Sequence, residues 1–166
     1  MDQSALSLIV AVIALFISIA SYIVTGMKQK GEAGTSSSTN GLQLQAYERL
    51  VMLTERISLP NLISRTIDPQ LSAKEMQMVL SQNIKQEFEY NATQQIYVSK
   101  NAWNAVQNLK DQNLLTINQI SNVLDPEAKA SDLSKHLLEV MMNQKEKALH
   151  TLVLEALNSE AKKLMN

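Results

Sequence analysis

From Gln3 to Met27 the chain carries no charged residue, and apolar side chains dominate from Ala5 onward. Those 23 residues, Ala5 to Met27, wound as an α-helix at 1.5 Å per residue, reach about 34 Å. That exceeds the roughly 30 Å hydrocarbon core of a bilayer and predicts a helix that spans it with some tilt. A buried helix of a globular domain would show an amphipathic period, and this stretch has none. A cleaved signal peptide starts with a positive region and holds about 7–15 apolar residues. Here the chain starts Met-Asp-Gln-Ser, and Tyr22, Ile23 and Val24 carry the apolar run past the small residues Ser18 and Ala20. Residues 1–27 therefore read as an uncleaved transmembrane anchor.

The pattern changes at Lys28. Residues 28–41 read KQKGEAGTSSSTNG, rich in Gly, Ser and Thr and without large apolar side chains. Such a segment is a flexible linker with an average reach of about 20 Å. From residue 42 the apolar positions recur at helical spacing, which predicts a soluble helical domain over 42–166.

Its first helix is expected from Leu42 to about Ser58, with Ala46, Tyr47, Leu50, Leu53, Thr54 and Ile57 on the core face. Pro60 is expected to end it, leaving Leu59 to Pro69 as a corner. Ser72 and Glu75 have the spacing of a capping box, with Leu71 and Met76 at the staple positions around it. The second helix then runs to Tyr90–Thr93, with Met76, Val79, Leu80, Ile84 and Phe88 inward. Ser99 is expected to cap a third helix, with Val98 and Trp103 at its staple positions, as far as Asp125-Pro126. Asn113 falls where an apolar residue belongs, so a kink or break is expected near Leu114–Thr116. Ser131 is the expected cap of the next helix, with Leu133, Leu137, Val140 and Met141 inward. Leu149, Leu152, Val153, Ala156, Leu157 and Leu164 continue the period. Ser131 to Leu164 forms either one long helix or two, and the pattern does not choose. The fold class expected is all-α: one N-terminal transmembrane helix, a linker, and a soluble bundle of four to five helices.

Within the anchor, Ser4, Ser7, Ala11, Ala14, Ser18, Ser21 and Thr25 alternate at spacings of three and four residues. This places a heptad stripe of small residues on one face. Helices in lipid associate by close backbone approach across small residues, and a 3.5-residue period fits a left-handed crossing. The stripe is read as a packing face against another copy or a different membrane protein. Lys28 and Lys30 follow the span and no basic residue precedes it, so the positive-inside rule sets the C-terminal domain in the cytoplasm.

Composition narrows the chemistry. Fifteen Lys and Arg balance sixteen Asp and Glu, giving a net charge of −1 without charge blocks, and no nucleic-acid footprint is expected. Cysteine is absent, which removes disulfides, thiolate catalysis and Cys-zinc sites. Glycine occurs only at 26, 31, 34 and 41, so no phosphate-cradling loop exists in the domain. His136 and His150 lack the spacing of a metal site, and Glu87 and Glu89, two apart on a helix, do not face each other. No catalytic residue, cofactor or metal is expected. Met52, Met76, Met78, Met141 and Met142 read first as core gap-fillers and second as an adaptable binding surface. On the first helix Glu48, Arg49, Glu55 and Arg56 form two Glu-Arg pairs one heptad apart, read either as a docking stripe or as a solvated face.

Leu44–Leu50 (LQAYERL) with Glu55-Arg56-Ile57-Ser58, Gln86–Asn91 (QEFEYN) and Gln94–Ser99 (QQIYVS) ahead of Ala102-Trp103 together resemble an uncharacterised family of single-pass membrane proteins from Bacteroidota. The resemblance spans roughly Leu42 to Met142. It implies a bacterial inner-membrane protein with its N-terminus outside and a cytoplasmic helical domain, and it carries over no functional residue. The function expected is non-enzymatic: a membrane-tethered interaction or scaffold module, an accessory subunit of a membrane complex. Its partners are membrane lipid and, through the span, another copy or another membrane protein. The alternative is a small enzyme or ligand-binding domain whose site is assembled from scattered polar residues.

Overall fold

Wherever the apolar period is 3.6, the chain is helical in the computed structural model, which describes residues 39–125, 127–142 and 149–165. The anchor, its small-residue stripe and most of the linker lie outside the described residues. Among those described, no helix is long and apolar enough to cross a membrane. Helix α1 covers residues 39–57, so the last three linker positions are helical. It is followed by α2 (Leu59–Thr66), α3 (Ala73–Tyr90), a 3₁₀ turn (Ala92–Ile96), α4 (Lys100–Val123), α5 (Ala130–Met142) and α6 (Leu149–Met165).

The corner expected after Pro60 contains a helix of its own. Proline lacks an N–H and has a helical φ, so it suits a first turn, and here it opens α2 instead of only closing α1. Leu59, Leu62 and Ile63 of α2 are buried. Helix α2 is thus an element that the expected helices did not include.

Helix α3 starts as its sequence dictates. Ser72 accepts from the Glu75 amide at 3.2 Å while Glu75 Oε2 accepts from the Ser72 amide at 2.9 Å, closing the capping box. Hydrogen bonding to the Ser72 amide and hydroxyl holds the Glu75 carboxyl below its ordinary pKa. The same corner is tied to the start of α5. The Ala73 amide donates to the Ala128 carbonyl at 2.8 Å, and the Ala130 amide donates to the Leu71 carbonyl at 3.0 Å. This antiparallel pairing keeps Lys129 extended, so α5 begins at Ala130 and not beyond Ser131, which lies exposed within the first turn. Ser131 therefore does not cap the helix; Asp132 in its first turn reaches back instead, its Oδ2 accepting from the Lys129 amide at 3.0 Å.

Asn113 does not break α4, which is helical through all 24 residues. Its buried Nδ2 donates to the carbonyl of Ile57, the last residue of α1, at 2.7 Å. A terminal carbonyl has no partner within its own helix. The polar residue on an apolar face is therefore a cap delivered from the neighbouring helix.

The core is formed by the faces so aligned: Leu50, Leu53 and Ile57 of α1, Met76, Leu80 and Ile84 of α3, Leu109 and Ile117 of α4, Leu133 and Leu137 of α5, and Leu157 of α6, each at most 2% exposed. Helix α4 packs against α3, α5 and α6. Tyr47 joins three elements: its hydroxyl donates to Glu160 Oε2 at 2.7 Å and accepts from the Ser99 amide at 3.2 Å. Burial, with the bond to Glu160, pushes its phenol pKa up.

Several expected inward positions are not inward. Val140, Leu152 and Ala156 are exposed, and the α5 face is completed by Ser134, whose hydroxyl bonds the Ala130 carbonyl at 2.8 Å. Trp103 is half-buried against Phe88, with ring centroids 4.9 Å apart, rather than enclosed. Ala130–Met142 and Leu149–Met165 are both helical, but the choice between one helix and two falls on residues 143–148, outside those described.

Candidate functional site

One helical turn is about 3.6 residues, so adjacent residues stand about 100° apart around the axis. That angle splits the expected docking stripe. With the core face of α1 centred on Leu50, Leu53 and Ile57, Glu48 and Glu55 fall near the opposite pole. Arg49 and Arg56 fall on the flank that borders α3. All four side chains are exposed, the glutamates on one side and the arginines on the other. Glu55 Oε2 instead accepts from Asn61 Nδ2 of α2 at 3.0 Å.

Between the arginine flank of α1 and the end of α3 lies a groove of about 650 Å³. Arg49, Met52, Leu53 and Arg56 line it from α1, at the i, i+3, i+4, i+7 spacing of one helix face. Gln86, Glu87 and Tyr90 of α3, with Asn91 at its C-cap, line the other side. The α3 wall is fixed at its end by Asn91, whose buried Nδ2 donates to the Glu87 carbonyl at 2.9 Å.

Glu87 organises the groove. Its Oε1 accepts from Arg56 Nε at 2.7 Å and from Arg56 Nη2, and Arg65 Nη2 of α2 stands 3.6 Å from the same oxygen. The Glu87 side chain is largely covered, whereas Arg56 keeps half of its surface in solvent. The bond to Glu87 raises the Arg56 pKa above its ordinary value. Arg49 has no hydrogen bond or ion pair among the described residues. Two guanidinium groups thus share one carboxylate while that of Arg49 stands apart on the same groove wall, and the groove carries net positive charge. Over this charge stand two apolar surfaces that the fold leaves in water, Met52 at 63% and Tyr90 at 77% exposure.

The methionines divide in the same way. Met76 fills the core, but Met52, Met78 and Met142 are exposed, so core filling accounts for only part of the set. Met78 borders a second cavity of about 470 Å³, together with Gln77, Ser81, Lys85, Leu114 and Asn118. Gln77 donates to Asn118 Oδ1 at 2.6 Å, while Gln77 Oε1 and Ser81 Oγ are buried without a partner among the described residues. His136 is exposed, with Nδ1 2.8 Å from the Asp132 carbonyl, and His150 is half-buried beside Thr151. Among the described residues no group of acidic or histidine side chains could hold a metal ion.

The ion pair behind the groove was not distinguished by pattern. Glu87, which lines it, and Arg65, which stands on the Glu87 carboxylate from α2, lie 22 residues apart, and nothing in the period of either helix pairs them. The available signal was motif, not period: LQAYERL, Glu55-Arg56 and QEFEYN supply Arg49, Arg56, Gln86, Glu87, Tyr90 and Asn91, which the fold brings to one place. A family model described as a family of unknown function (DUF7935) matches residues 3–164, and the chain belongs to that family. No curated protein and no solved structure matches it significantly.

Proposed function

We propose that this DUF7935 member is a membrane-tethered helical interaction module, an accessory or scaffold subunit of a bacterial inner-membrane complex. The observation that carries the interaction reading is the α1–α3 groove. Arg49, Met52 and Tyr90 stand exposed in it without a structural task, and Arg, Met and Tyr are the types enriched at protein interfaces. The tethering reading rests on the uncharged, apolar segment from Gln3 to Met27, which the family match includes from residue 3 onward. Lys28 and Lys30 after that segment orient the helical domain toward the cytoplasm. The stripe from Ser4 to Thr25 gives the span a face for a second helix, from another copy or another protein.

A groove of about 650 Å³ also falls within the size range of small-ligand sites. Among the described residues its one acid, Glu87, is already engaged by two arginines, which leaves no free base there for proton transfer, and most of the lining side chains are exposed. Those features favour a surface contact over an enclosed reaction.

Membrane fractionation with a topology reporter tests the proposal. The full chain is expected to stay with membranes through an alkaline carbonate wash and to leave them in detergent. A reporter active only in the cytoplasm, fused after Asn166, is expected to be active. Recovery of the chain in the soluble fraction would refute the tether; activity only from an export-side reporter would reverse the orientation. In mild detergent the chain is expected to elute with a fixed proportion of a second protein.

A further inference from the structure

We propose that the α1–α3 groove receives an amphipathic helix of another protein, with an acidic residue on Arg49 and apolar side chains over Met52 and Tyr90. This rests on the interaction reading above and specifies the partner's chemistry. Charge gives the first argument. Arg56 and Arg65 share the single carboxylate of Glu87, while Arg49 has no partner among the described residues. The nearest acids on the same helix do not relieve this, because Glu48 and Glu55 sit about 100° further round, toward solvent. The groove therefore carries more guanidinium than carboxylate, and a further carboxylate supplied from outside would be taken in the forked geometry that guanidinium favours.

Spacing gives the second argument. Arg49 and Arg56 are seven residues apart on α1, about 10.5 Å along the axis, with Met52 between them. A second helix lying along this flank repeats at the same rise. Acidic residues at its positions i and i+7 would meet the two arginines, and apolar residues at i+3 and i+4 would meet Met52. An extended strand presents one face every ~6.8 Å, which does not match that interval. The apolar contacts give the third argument. A phosphate or lipid headgroup would satisfy the guanidinium groups but would leave Met52 and Tyr90 in water, whereas the apolar stripe of a helix covers them.

The test uses the full chain in its membrane, with a photo-crosslinking amino acid at Met52 and, as an off-groove control, at the exposed Glu139 of α5. The expected result is a protein adduct from position 52 and not from 139. Its crosslinked peptide, sequenced by mass spectrometry, should carry acidic residues seven apart around an apolar pair. Arg49→Glu should cut the yield by roughly tenfold, as loss and reversal of one interfacial charge pair would. Lysine at the matching acid of the partner should restore it. An adduct with lipid, with a second copy of this chain, or with a peptide lacking that acidic spacing overturns the inference. So does a yield indifferent to Arg49→Glu in a variant with unchanged circular dichroism. Protein adducts from position 139 alone would overturn the groove and leave the interaction module. Absence of any protein adduct from both positions would overturn both.

Discussion

At its N-terminal end α3 satisfies its polar groups locally: Ser72 and Glu75 cap each other, and the adjoining backbone pairs with Ala128 and Ala130. At its C-terminal end the polar side chains reach outward. Glu87 is shared by arginines of α1 and α2, and Tyr90 stands in solvent. Between the two ends the helix buries Met76, Leu80 and Ile84 completely. The start and middle of the helix are thus committed to the fold, while the side chains unused by the fold collect at its end. A helix can hold both because core packing fixes its position, leaving one exposed turn free to vary.

The largest effect is expected in the buried middle. Leu80→Ala should lower unfolding stability by about 2–5 kcal/mol, since the side chain is fully covered and its loss leaves a cavity. A urea titration followed by circular dichroism would measure it. A cost below about 1 kcal/mol would mean that the core does not depend on α3, and the contrast between its ends would lose its basis.

Asn113→Ala is expected to come next, at about 1–3 kcal/mol, because it leaves the Ile57 carbonyl buried without a donor. The same titration serves. This residue also marks the limit of what pattern alone could reveal. Periodicity located α1, α3 and α4, and the spacing of Ser72 and Glu75 located a cap, because those signals are local. Asn113 was legible only as an interruption, since its partner lies 56 residues away. Likewise Ser131 had the composition of a cap, but the α5 start was set by backbone pairing to Leu71 and Ala73, which no local signal records. The arginines of the groove were visible as an exposed heptad pair. Their separation from Glu48 and Glu55 followed from helical geometry, but their convergence on Glu87 required the tertiary fold. Pro60 was read as a stop because a proline closes one helix as readily as it opens another.

A smaller effect should appear at acid pH. The folded Glu75 carboxyl titrates below its ordinary range, because its charged form accepts hydrogen bonds from Ser72. A depressed carboxyl contributes stability above its unfolded pKa and loses it as pH falls through the folded one. The contribution is therefore present at neutrality and disappears below the usual carboxylate range. In Glu75→Gln the stability-versus-pH profile should be flatter there than in the parent. Identical profiles would show that the capping box has no role in acid unfolding.

The smallest effect on stability is expected at the other end of the comparison, and it is the most informative about function. Arg49→Ala and Tyr90→Ala should each change unfolding stability by no more than about 0.5 kcal/mol, the usual range for exposed positions without a structural partner. Arg49 makes no polar contact among the described residues, and Tyr90 leaves most of its ring in water. Removing either leaves no buried donor, acceptor or cavity behind. Glu87→Gln is a different case, since it leaves Arg56 and Arg65 without their shared charge and should cost more than either. The Arg56–Glu87 pair is half-exposed, however, so that cost should stay near 1 kcal/mol. The three variants, measured together by thermal and denaturant unfolding, give an order: Glu87→Gln above the other two. A stability loss of 2 kcal/mol or more at Arg49 or Tyr90, on the order of a buried core truncation, would show that the C-terminal end of α3 is part of the fold's support. The groove would then be structure and not a surface kept for a partner.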